Sequence, residues 1–309
     1  MRNMLLKNKD GLTEKEFLEG YKPGNYEKPS NTVDMLLFTM DDKLVDDDIK
    51  KSSEKELKIL LIKRKNHPYM ECFAIPGGFV NIDEALNEAA YRELKEETSV
   101  ENVYLEQLYT WGDDVKRDPR MRVISISYMA LVDKNSIKPK AGDDASDVKW
   151  FSVKKEFMFS IKEKDEKKDI YNLILTSDDE ENKIIYKVTE KYVKNGIMPN
   201  KESEYEPLSF SKEELAFDHV RIIDAALERL KSKIEYAPIA FMFLPKRFTL
   251  TELQKIYEVI LNRTLLKESF TKKVLPMVKE TDWIKENHHH SSEKYYEFNK
   301  DWKHNFLNE

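Results

Sequence analysis

Three glutamates stand close together in a segment that has the pattern of a helix. Glu93, Glu96 and Glu97 are spaced i, i+3 and i+4, so on a helix their carboxylates share one face. Clustered carboxylates repel one another, and a hard divalent cation such as Mg²⁺ removes that conflict because it prefers oxygen ligands. The spacing therefore indicates a divalent metal site. The alternative interpretation is a solvated acidic helix.

The residues around these glutamates supply what is needed to position them. Small or apolar residues recur along the segment and can pack a helix against a sheet, namely Ala85, Leu86, Ala89, Ala90 and Leu94. A glycine pair, Gly77 and Gly78, follows Pro76, and glycine lets the backbone approach a ligand closely. The pattern predicts a helix over 83–98 that is preceded by a glycine turn.

The segment from Gly78 to Val100 resembles the Nudix motif. That motif reads Gly, five residues, Glu, seven residues, Arg-Glu, an aliphatic residue, any residue, Glu-Glu, any residue, Gly and an aliphatic residue. The chain matches it at Gly78, Glu84, Arg92, Glu93, Leu94, Glu96, Glu97 and Val100. Ser99 stands where the motif has glycine, at a helix end that favours a left-handed backbone, and a serine there costs on the order of 1 kcal/mol. The departure concerns the helix end and not the carboxylates.

The resemblance implies hydrolysis of a nucleoside diphosphate that is linked to another group. In that reading Glu93, Glu96 and Glu97 coordinate Mg²⁺ or Mn²⁺, which neutralises phosphate charge and activates water. Arg92 orients Glu93 and pairs with Glu84. In the family a further acidic residue from a later loop often serves as general base, and the candidates here are Asp143 and Asp144. A turn rich in Asp and Gly is the alternative interpretation of that loop.

A second stretch, residues 109–123, concerns the substrate. It resembles the branch of the Nudix family that handles ADP-ribose, as does the Gly-Asp-Asp-Ala sequence at 142–145 followed by Trp150 and Phe151. Arginines can bind phosphate through charge-assisted hydrogen bonds, and aromatic rings can stack on a base. The alternative is that the aromatic residues belong to the core and the arginines are solvated. The predicted substrate-binding residues are Gly77, Gly78, Phe79, Trp111, Arg117, Arg120 and Arg122.

Strand patterns surround the predicted helix. Apolar or alternating runs predict strands at 32–39, 57–63, 103–111, 123–132 and 148–153. With one strong helix, this predicts an α+β fold in which a Nudix α/β/α sandwich comes first. Residues 161–210 are interpreted as a connector or insertion that contains a hairpin of 170–175 with 184–188.

The last hundred residues have a helical pattern. Ser211 with Glu214 forms a capping box before one apolar-periodic run, and Thr249 with Glu252 forms another. A turn at 262–264 leads to a third helix, for which the spacing predicts a buried face consisting of Leu266, Phe270 and Val274. The segments 283–284 and 295–298 are interpreted as two strands.

This region resembles the winged helix-turn-helix domain of Nudix-related regulators of NAD metabolism. The resemblance rests on Phe217-Asp-His219, Tyr236-Ala-Pro-Ile-Ala240, Leu244-Pro, 248–253 and 270–273. It implies binding of double-stranded DNA, and residues 246–279 hold eight basic against three acidic side chains. The predicted DNA-binding residues are Lys267, Thr271, Lys272 and Lys273. The alternative is a helical dimerisation domain that does not contact DNA.

Length and composition agree with a two-domain protein. The 309 residues carry a net charge of −6, which argues against coating nucleic acid along the whole chain, and the single Cys72 allows no intramolecular disulfide. We therefore expect a cytoplasmic homodimer without a membrane segment. The predicted division is an N-terminal extension at 1–27, a Nudix domain at 28–160, the connector at 161–210 and a winged helix domain at 211–309.

Two functions follow from these resemblances. The first is a Mg²⁺-dependent hydrolase that cleaves the pyrophosphate of ADP-ribose or a related nucleoside diphosphate derivative and also regulates transcription. The second is a catalytically weak regulator that responds to ADP-ribose or a sugar nucleotide. In such regulators the Nudix domain often has lost its catalytic glutamates, whereas Glu93, Glu96 and Glu97 are intact here. That difference favours hydrolysis.

Overall fold

The architecture comes from a computed structural model of the chain. It describes residues 6–22, 24, 27–43, 54–101, 103, 105–134, 137, 139, 145–164, 166–194, 197, 200–208, 213–286 and 292–303. The helices are α1 (Glu14–Gly20), α2 (Leu86–Thr98), α3 (His219–Lys233), α4 (Leu250–Leu261) and α5 (Lys267–Val274). None of these helices combines the length and the hydrophobicity that crossing a bilayer requires.

A large mixed sheet forms the first part of the molecule. Its strands are β1 (Ser30–Asp42), β2 (Lys55–Arg64), β3 (Phe73–Ala74), β4 (Gly77–Phe79), β5 (Leu105–Trp111), β6 (Val123–Val132), β7 (Ala145–Lys162), β8 (Glu166–Ser177), β9 (Lys183–Val193) and β10 (Asn200–Pro207). The order across the sheet is β10-β9-β8-β7-β2-β1-β6-β5, with β3 on β2 and β4 on β1. Only the β1–β6 pair is parallel among the described strands. The five strands predicted for this part are confirmed.

Alternation along β1 divides the core between the two faces of the sheet. Val33, Met35 and Leu37 pack with Ala89 and Leu94 of α2, whereas Leu36 and Phe38 belong to the core on the opposite face. Successive side chains of a strand point to opposite faces, so a fully buried strand needs cover on both. The α/β/α sandwich is thereby confirmed, with α2 as one outer layer.

Helices α3 and α4 cover the other face. Their buried residues join those of β1, β2, β7, β8 and β9 in one continuous hydrophobic core. A buried ion cluster adds to this contact, because Lys155 Nζ of β7 lies 2.6 Å from Glu190 Oε1 of β9 and 2.7 Å from Asp224 Oδ1 of α3. The Tyr205 hydroxyl of β10 donates to Asp224 Oδ2 at 2.9 Å. These contacts of Asp224 therefore hold α3 in a fixed place relative to the sheet.

Strands β8 to β10 extend the sheet beyond β7. The hairpin predicted in this region is confirmed by the pairing of Leu175 with Ile184. Strand β7 runs through residue 160, where we divided the Nudix domain from a connector. Strands β8, β9 and β10 therefore lie in the same sheet as the Nudix strands, and the division into domains stays a prediction.

The C-terminal part contains a helix-turn-helix and a three-stranded sheet. Asn262 ends α4 with φ 52° and leads into α5, and the strands β11 (Phe248–Thr249), β12 (Val278–Glu286) and β13 (Ser292–Phe298) pair in the order β11-β13-β12. These features confirm the winged helix fold, including the predicted turn and the two predicted strands.

Two details of the helix predictions were wrong. The run that we began at Ser211, which lies outside the described residues, becomes helical only at His219, because Leu215 bridges to Phe73 in extended backbone. Leu266 was expected to face inward but is 79% exposed. It is the N-cap of α5 and has extended backbone, so it stands outside the helical face that Phe270 and Val274 bury.

Candidate active site

Arg92 is the centre of the ion pairs on α2. Its Nε and Nη2 donate to the two carboxylate oxygens of Glu84 at 2.9 and 2.6 Å. Its Nη1 donates to Glu93 at 2.6 Å and to Glu96 at 3.1 Å. The hydrogen bond from Arg92 holds the pKa of Glu84 down at about 2. The predicted pairing of Arg92 with Glu84 and Glu93 is thus present, because one guanidinium offers five donors in a fixed plane.

The glycine turn lies directly against the carboxylates. A Cβ on Gly78 would be 2.3 Å from Glu93 Oε1, and a Cβ on Gly77 would be 2.2 Å from the Val33 carbonyl oxygen. The Gly77 amide donates to Glu97 Oε2 at 2.5 Å. These approaches need residues without a side chain, so both glycines have a steric role.

The end of α2 takes the conformation that the sequence predicts. Ser99 adopts φ 58° and ψ 19°, in the left-handed region, and its amide donates to the Lys95 carbonyl oxygen. This is where the Nudix motif has glycine, and the serine adopts the left-handed backbone that glycine favours there.

The three glutamates differ in exposure. Glu93 and Glu97 are both 9% exposed, whereas 58% of the Glu96 side chain is exposed. Burial raises the pKa of Glu93, against the opposing effect of Arg92. A buried carboxylate with a raised pKa gains from a nearby cation, since the cation favours its charged form.

The candidate ligands have the oxygen chemistry that a hard divalent cation prefers. Among the described residues, no three acidic, histidine or cysteine side chains are gathered closely enough to hold a metal ion. Arg92 instead donates to oxygens of both Glu93 and Glu96. All three candidate ligands are nevertheless carboxylates on one helix, and Glu93 and Glu97 border an open cleft.

That cleft has a volume of about 450 Å³ and lies over the glycine turn. Five of the predicted substrate-binding residues line it, namely Gly77, Gly78, Phe79, Arg117 and Arg120. Trp111 and Arg122 do not line it. The Trp111 Nε1 donates to Ser127 Oγ at 2.9 Å beside a neighbouring cleft. Arg122 donates to the carbonyl oxygen of Gly112 at 2.6 Å.

The two arginines of the cleft that were predicted to bind phosphate already have carboxylate partners. Arg117 donates to both oxygens of Asp218 at 3.0 and 2.7 Å. Arg120 does the same with Asp118 at 3.0 and 2.7 Å. Such paired geometry fixes the guanidinium planes at the edge of the cleft. Their role as phosphate ligands stays a prediction, and Asp143 and Asp144 lie outside the described residues.

Several lining residues escaped the sequence analysis. Asp34 and Arg64 come from β1 and β2, Phe217 comes from the segment before α3, and His219 is the first residue of α3. The Phe217-Asp-His219 sequence was noticed, but only as part of the resemblance to the C-terminal domain. No local pattern places it in the cleft, since it is more than a hundred residues from the glutamates in sequence.

His219 is buried between the cleft and α3. Its Nδ1 accepts from the Ile75 amide at 2.9 Å, which leaves the proton of the neutral ring on Nε2, 3.9 Å from Asp34 Oδ1. Burial lowers the pKa of His219 below its ordinary value of 6.5 and outweighs the carboxylates of Asp34 and Asp218. The folded protein therefore favours the neutral imidazole.

This burial predicts a loss of stability in mild acid. As the pH falls through about 6.5 the unfolded chain takes up a proton on this histidine while the folded chain does not, so the free energy of unfolding should fall. In urea unfolding at about pH 7 and about pH 5, His219→Gln should show a smaller fall than the wild-type protein. His67 is exposed, and His67→Gln is the matched control. An unchanged pH dependence in His219→Gln would contradict the prediction.

Comparison with known proteins agrees with this architecture. Residues 49–176 match the NUDIX domain family, and residues 240–298 match the NrtR DNA-binding winged helix domain. Over 278 residues the chain is 30% identical to the ADPR responsive transcriptional repressor NtrR of Acinetobacter baylyi, covering 88% of this chain and 84% of that protein. The chain belongs to the family of Nudix-related NrtR regulators. It joins a Nudix domain to a winged helix DNA-binding domain.

Other relatives of this NrtR-family chain include an enzyme and solved structures. An ADP-ribose pyrophosphatase of Methanocaldococcus jannaschii is 46% identical over 100 residues, which are 32% of this chain and 57% of that protein. A MutT/nudix family protein from Enterococcus faecalis matches with a TM-score of 0.64 at 29% identity, covering 93% of this chain and 94% of that one. Shewanella oneidensis NrtR complexed with a 27mer DNA matches with a TM-score of 0.53 at 26% identity, covering 87% and 93%.

Proposed function

We propose that this NrtR-family protein is a Mg²⁺- or Mn²⁺-dependent hydrolase that cleaves the pyrophosphate of ADP-ribose or a related nucleoside diphosphate derivative. The observation that carries the proposal is the complete carboxylate set Glu93, Glu96 and Glu97, ordered by Arg92 beside an open cleft. Arg92 brings one positive charge to these three carboxylates and shares it with Glu84, so a divalent cation would relieve the remaining repulsion. The name of the M. jannaschii relative supports ADP-ribose as the substrate.

The proposed catalytic role of the chain is to hold its carboxylates in position to bind a metal ion. An ion bound by Glu93, Glu96 and Glu97 would neutralise phosphate charge and activate water. Arg92 fixes the Glu93 carboxylate, and the Gly77 amide fixes that of Glu97. Side chains that are held before the substrate arrives lose less entropy when it binds. Either Asp143 or Asp144 is proposed to take the proton from the attacking water.

The proposed substrate site is the cleft over the glycine turn. Its volume of about 450 Å³ falls in the usual range for small-molecule sites, roughly 300 to 1,000 Å³. Arg117 and Arg120 are proposed to bind the diphosphate, because each guanidinium gives two of its five N–H donors to its carboxylate partner and has further donors for phosphate oxygens. Phe79 is 39% exposed there and offers a ring face for stacking.

The test is hydrolysis in solution. The protein is incubated with ADP-ribose and Mg²⁺, and the products are separated by ion-exchange chromatography. Addition of water across the phosphoanhydride bond gives AMP and ribose 5-phosphate in equal amounts, and removal of the metal with EDTA should stop the reaction. Absence of both products would overturn the proposal of hydrolysis.

The second candidate is a regulator with weak or no turnover. The observation that favours it is the likeness over most of the chain to the repressor of A. baylyi, whose name describes it as ADPR responsive. ADP-ribose would then bind in the same cleft and release DNA. Tight binding of ADP-ribose without formation of AMP would support this alternative against the hydrolase.

DNA is the proposed macromolecular partner. On α5, Lys267, Lys272 and Lys273 are exposed and Thr271 is half-buried, while Phe270 and Val274 fix the helix to the domain. A second helix of a helix-turn-helix lies in the major groove, and two copies bind two half-sites. We therefore propose that the protein acts as a homodimer on double-stranded DNA in the cytoplasm.

Lys272→Glu should weaken specific DNA binding by roughly tenfold and lower its salt dependence, because one phosphate contact is lost and a repulsive charge is added. Binding is measured by fluorescence anisotropy with DNA from upstream of the gene, at several salt concentrations. The control is Lys15→Glu on α1, since Lys15 is exposed and outside the winged helix match. Equal affinity of the two variants would count against α5 as the DNA-reading helix.

A further inference from the structure

The cleft of the Nudix domain is completed by a segment from outside that domain. Phe217 and His219 line it, although they lie between the NUDIX match at 49–176 and the winged helix match at 240–298. The segment is anchored next to the glycine turn, because the Ala216 amide donates to the Phe73 carbonyl oxygen at 2.8 Å. It therefore forms one wall of the cleft.

We propose that Phe217 is a ligand-binding residue whose ring stacks on the base of a nucleotide in this cleft. The proposal deepens the proposed function, since it requires that the cleft takes a nucleotide. It assigns the base to a wall that neither the Nudix motif nor the DNA-binding domain contributes.

The backbone of Phe217 supports this role. Phe217 has φ 53°, a left-handed conformation that residues other than glycine, asparagine and aspartate rarely adopt. Such a conformation persists only where the surroundings hold it. Arg117 binds both oxygens of Asp218, and the Ile75 amide donates to His219. The chain is thus held on both sides of Phe217, by Ala216 before it and by Asp218 and His219 after it. The strained residue presents its ring to the cleft.

The surroundings of the ring are suited to a flat polar group. The guanidinium of Arg120 lies 5.1 Å from the Phe79 ring centroid and 5.7 Å from that of Phe217, so one planar cation contacts both rings. Arg64 lies 5.1 Å from the same Phe217 ring, and the Tyr69 ring is 4.7 Å away. Guanidinium groups and nucleobases stack on aromatic faces in the same way. The cleft is therefore lined by the rings of Phe79 and Phe217 as well as by the carboxylates of Glu93 and Glu97.

Phe217 is not a typical core residue. Its ring is half-buried and packs at one side against a small cluster that contains Ile62, Ala74 and Ala216. A ring with only a packing role at such a site is replaceable by another apolar side chain with little effect on ligands. A ring that stacks on a base cannot be replaced in this way without weaker binding of the nucleotide. An experiment can therefore separate the two roles.

The experiment compares ligands with and without a base. Dissociation constants for ADP-ribose, AMP and ribose 5-phosphate are measured by calorimetry in EDTA, so that turnover does not interfere. Phe217→Leu should weaken binding of ADP-ribose and AMP by about tenfold and leave that of ribose 5-phosphate within about twofold. Phe217→Tyr keeps the ring and should bind all three like the wild-type protein. Phe157→Leu is the control, because Phe157 is 55% exposed on β7 and does not line the cleft.

The outcomes separate the inference from the proposed function. Unchanged affinity of Phe217→Leu for ADP-ribose, or equal weakening in Phe217→Tyr, would overturn the inference alone. Equal loss of affinity for all three ligands would show a general disturbance of the cleft and not loss of base stacking, and it would also overturn the inference. A wild-type protein that binds no nucleotide would overturn both. A wild-type protein that binds ADP-ribose without cleaving it removes the hydrolase proposal, and the inference is then decided by the same dissociation constants.

Discussion

Glu97→Gln and Glu96→Gln should each reduce turnover of ADP-ribose by at least about 100-fold, because each removes one of the charged ligands proposed for the metal. Glutamine has nearly the same size as glutamate. In Glu97→Gln the side-chain oxygen can still accept from the Gly77 amide, as Glu97 Oε2 does at 2.5 Å. The change is therefore in charge and not in packing. The measurement is the steady-state rate of AMP formation at saturating Mg²⁺, together with the Mg²⁺ concentration that gives half the maximal rate.

The control for this pair is Glu101→Gln. Glu101 follows α2, is exposed and pairs with Lys95 at 3.0 Å, so its replacement removes the same charge outside the cleft. Its turnover should stay within about twofold of the wild-type rate, since an exposed ion pair contributes little. Wild-type turnover in either Glu96→Gln or Glu97→Gln would sink the proposed mechanism. A rate recovered at high Mg²⁺ would support the role of the carboxylate as a ligand.

Gly78→Ala should nearly abolish the same reaction, with a loss of at least about 100-fold, because the site must rearrange to admit one methyl group. The new Cβ would lie 2.3 Å from Glu93 Oε1, so the carboxylate has to leave its present place and its hydrogen bond from Arg92. The atom that is met first is the end of a side chain, so the fold has room to adjust. We therefore expect a large effect on turnover and a small one on the melting temperature.

Two other glycines make this test specific. In Gly77→Ala the Cβ would lie 2.2 Å from the backbone oxygen of Val33, so β1 itself has to move and the melting temperature should fall clearly. In Gly112→Ala the nearest atoms are 3.6 Å away, which is ordinary contact, so neither activity nor stability should change much. Thermal unfolding and AMP formation are measured for all three variants. Normal turnover in Gly78→Ala would contradict the expectation that the reaction requires the Glu93 carboxylate in its present position.

The local part of the site could be predicted from the sequence because its causes are local. The i, i+3, i+4 spacing puts three carboxylates on one face of α2, and Arg92 reaches Glu84 and Glu93 across a single turn and the preceding loop. The left-handed Ser99 follows from the same logic, since it stands at a helix end. The spacing of residues in the motif reflects these local contacts, so α2 and its ion pairs could be predicted without the rest of the chain.

The walls of the cleft were decided by tertiary structure. Trp111 and Arg122 belong to a stretch that resembles the ADP-ribose branch, yet the pairing of β5 with β6 directs Trp111 to Ser127 and not to the glutamates. Phe217 and His219 enter the cleft because the chain just before them pairs with Phe73 of β3. Neither result is visible in a pattern of neighbouring residues, since each depends on contacts between segments that are far apart in sequence.

The sequence by itself determined the helix, the order of its charged residues and the two kinds of domain. Only the tertiary structure decided that α3 and α4 share one core with the sheet and that the segment before α3 closes the Nudix cleft. The physical reason is the range of the interactions. Helix-face spacing, capping and glycine conformation act within a few residues, whereas the cleft exists only where burial of apolar side chains brings distant segments together.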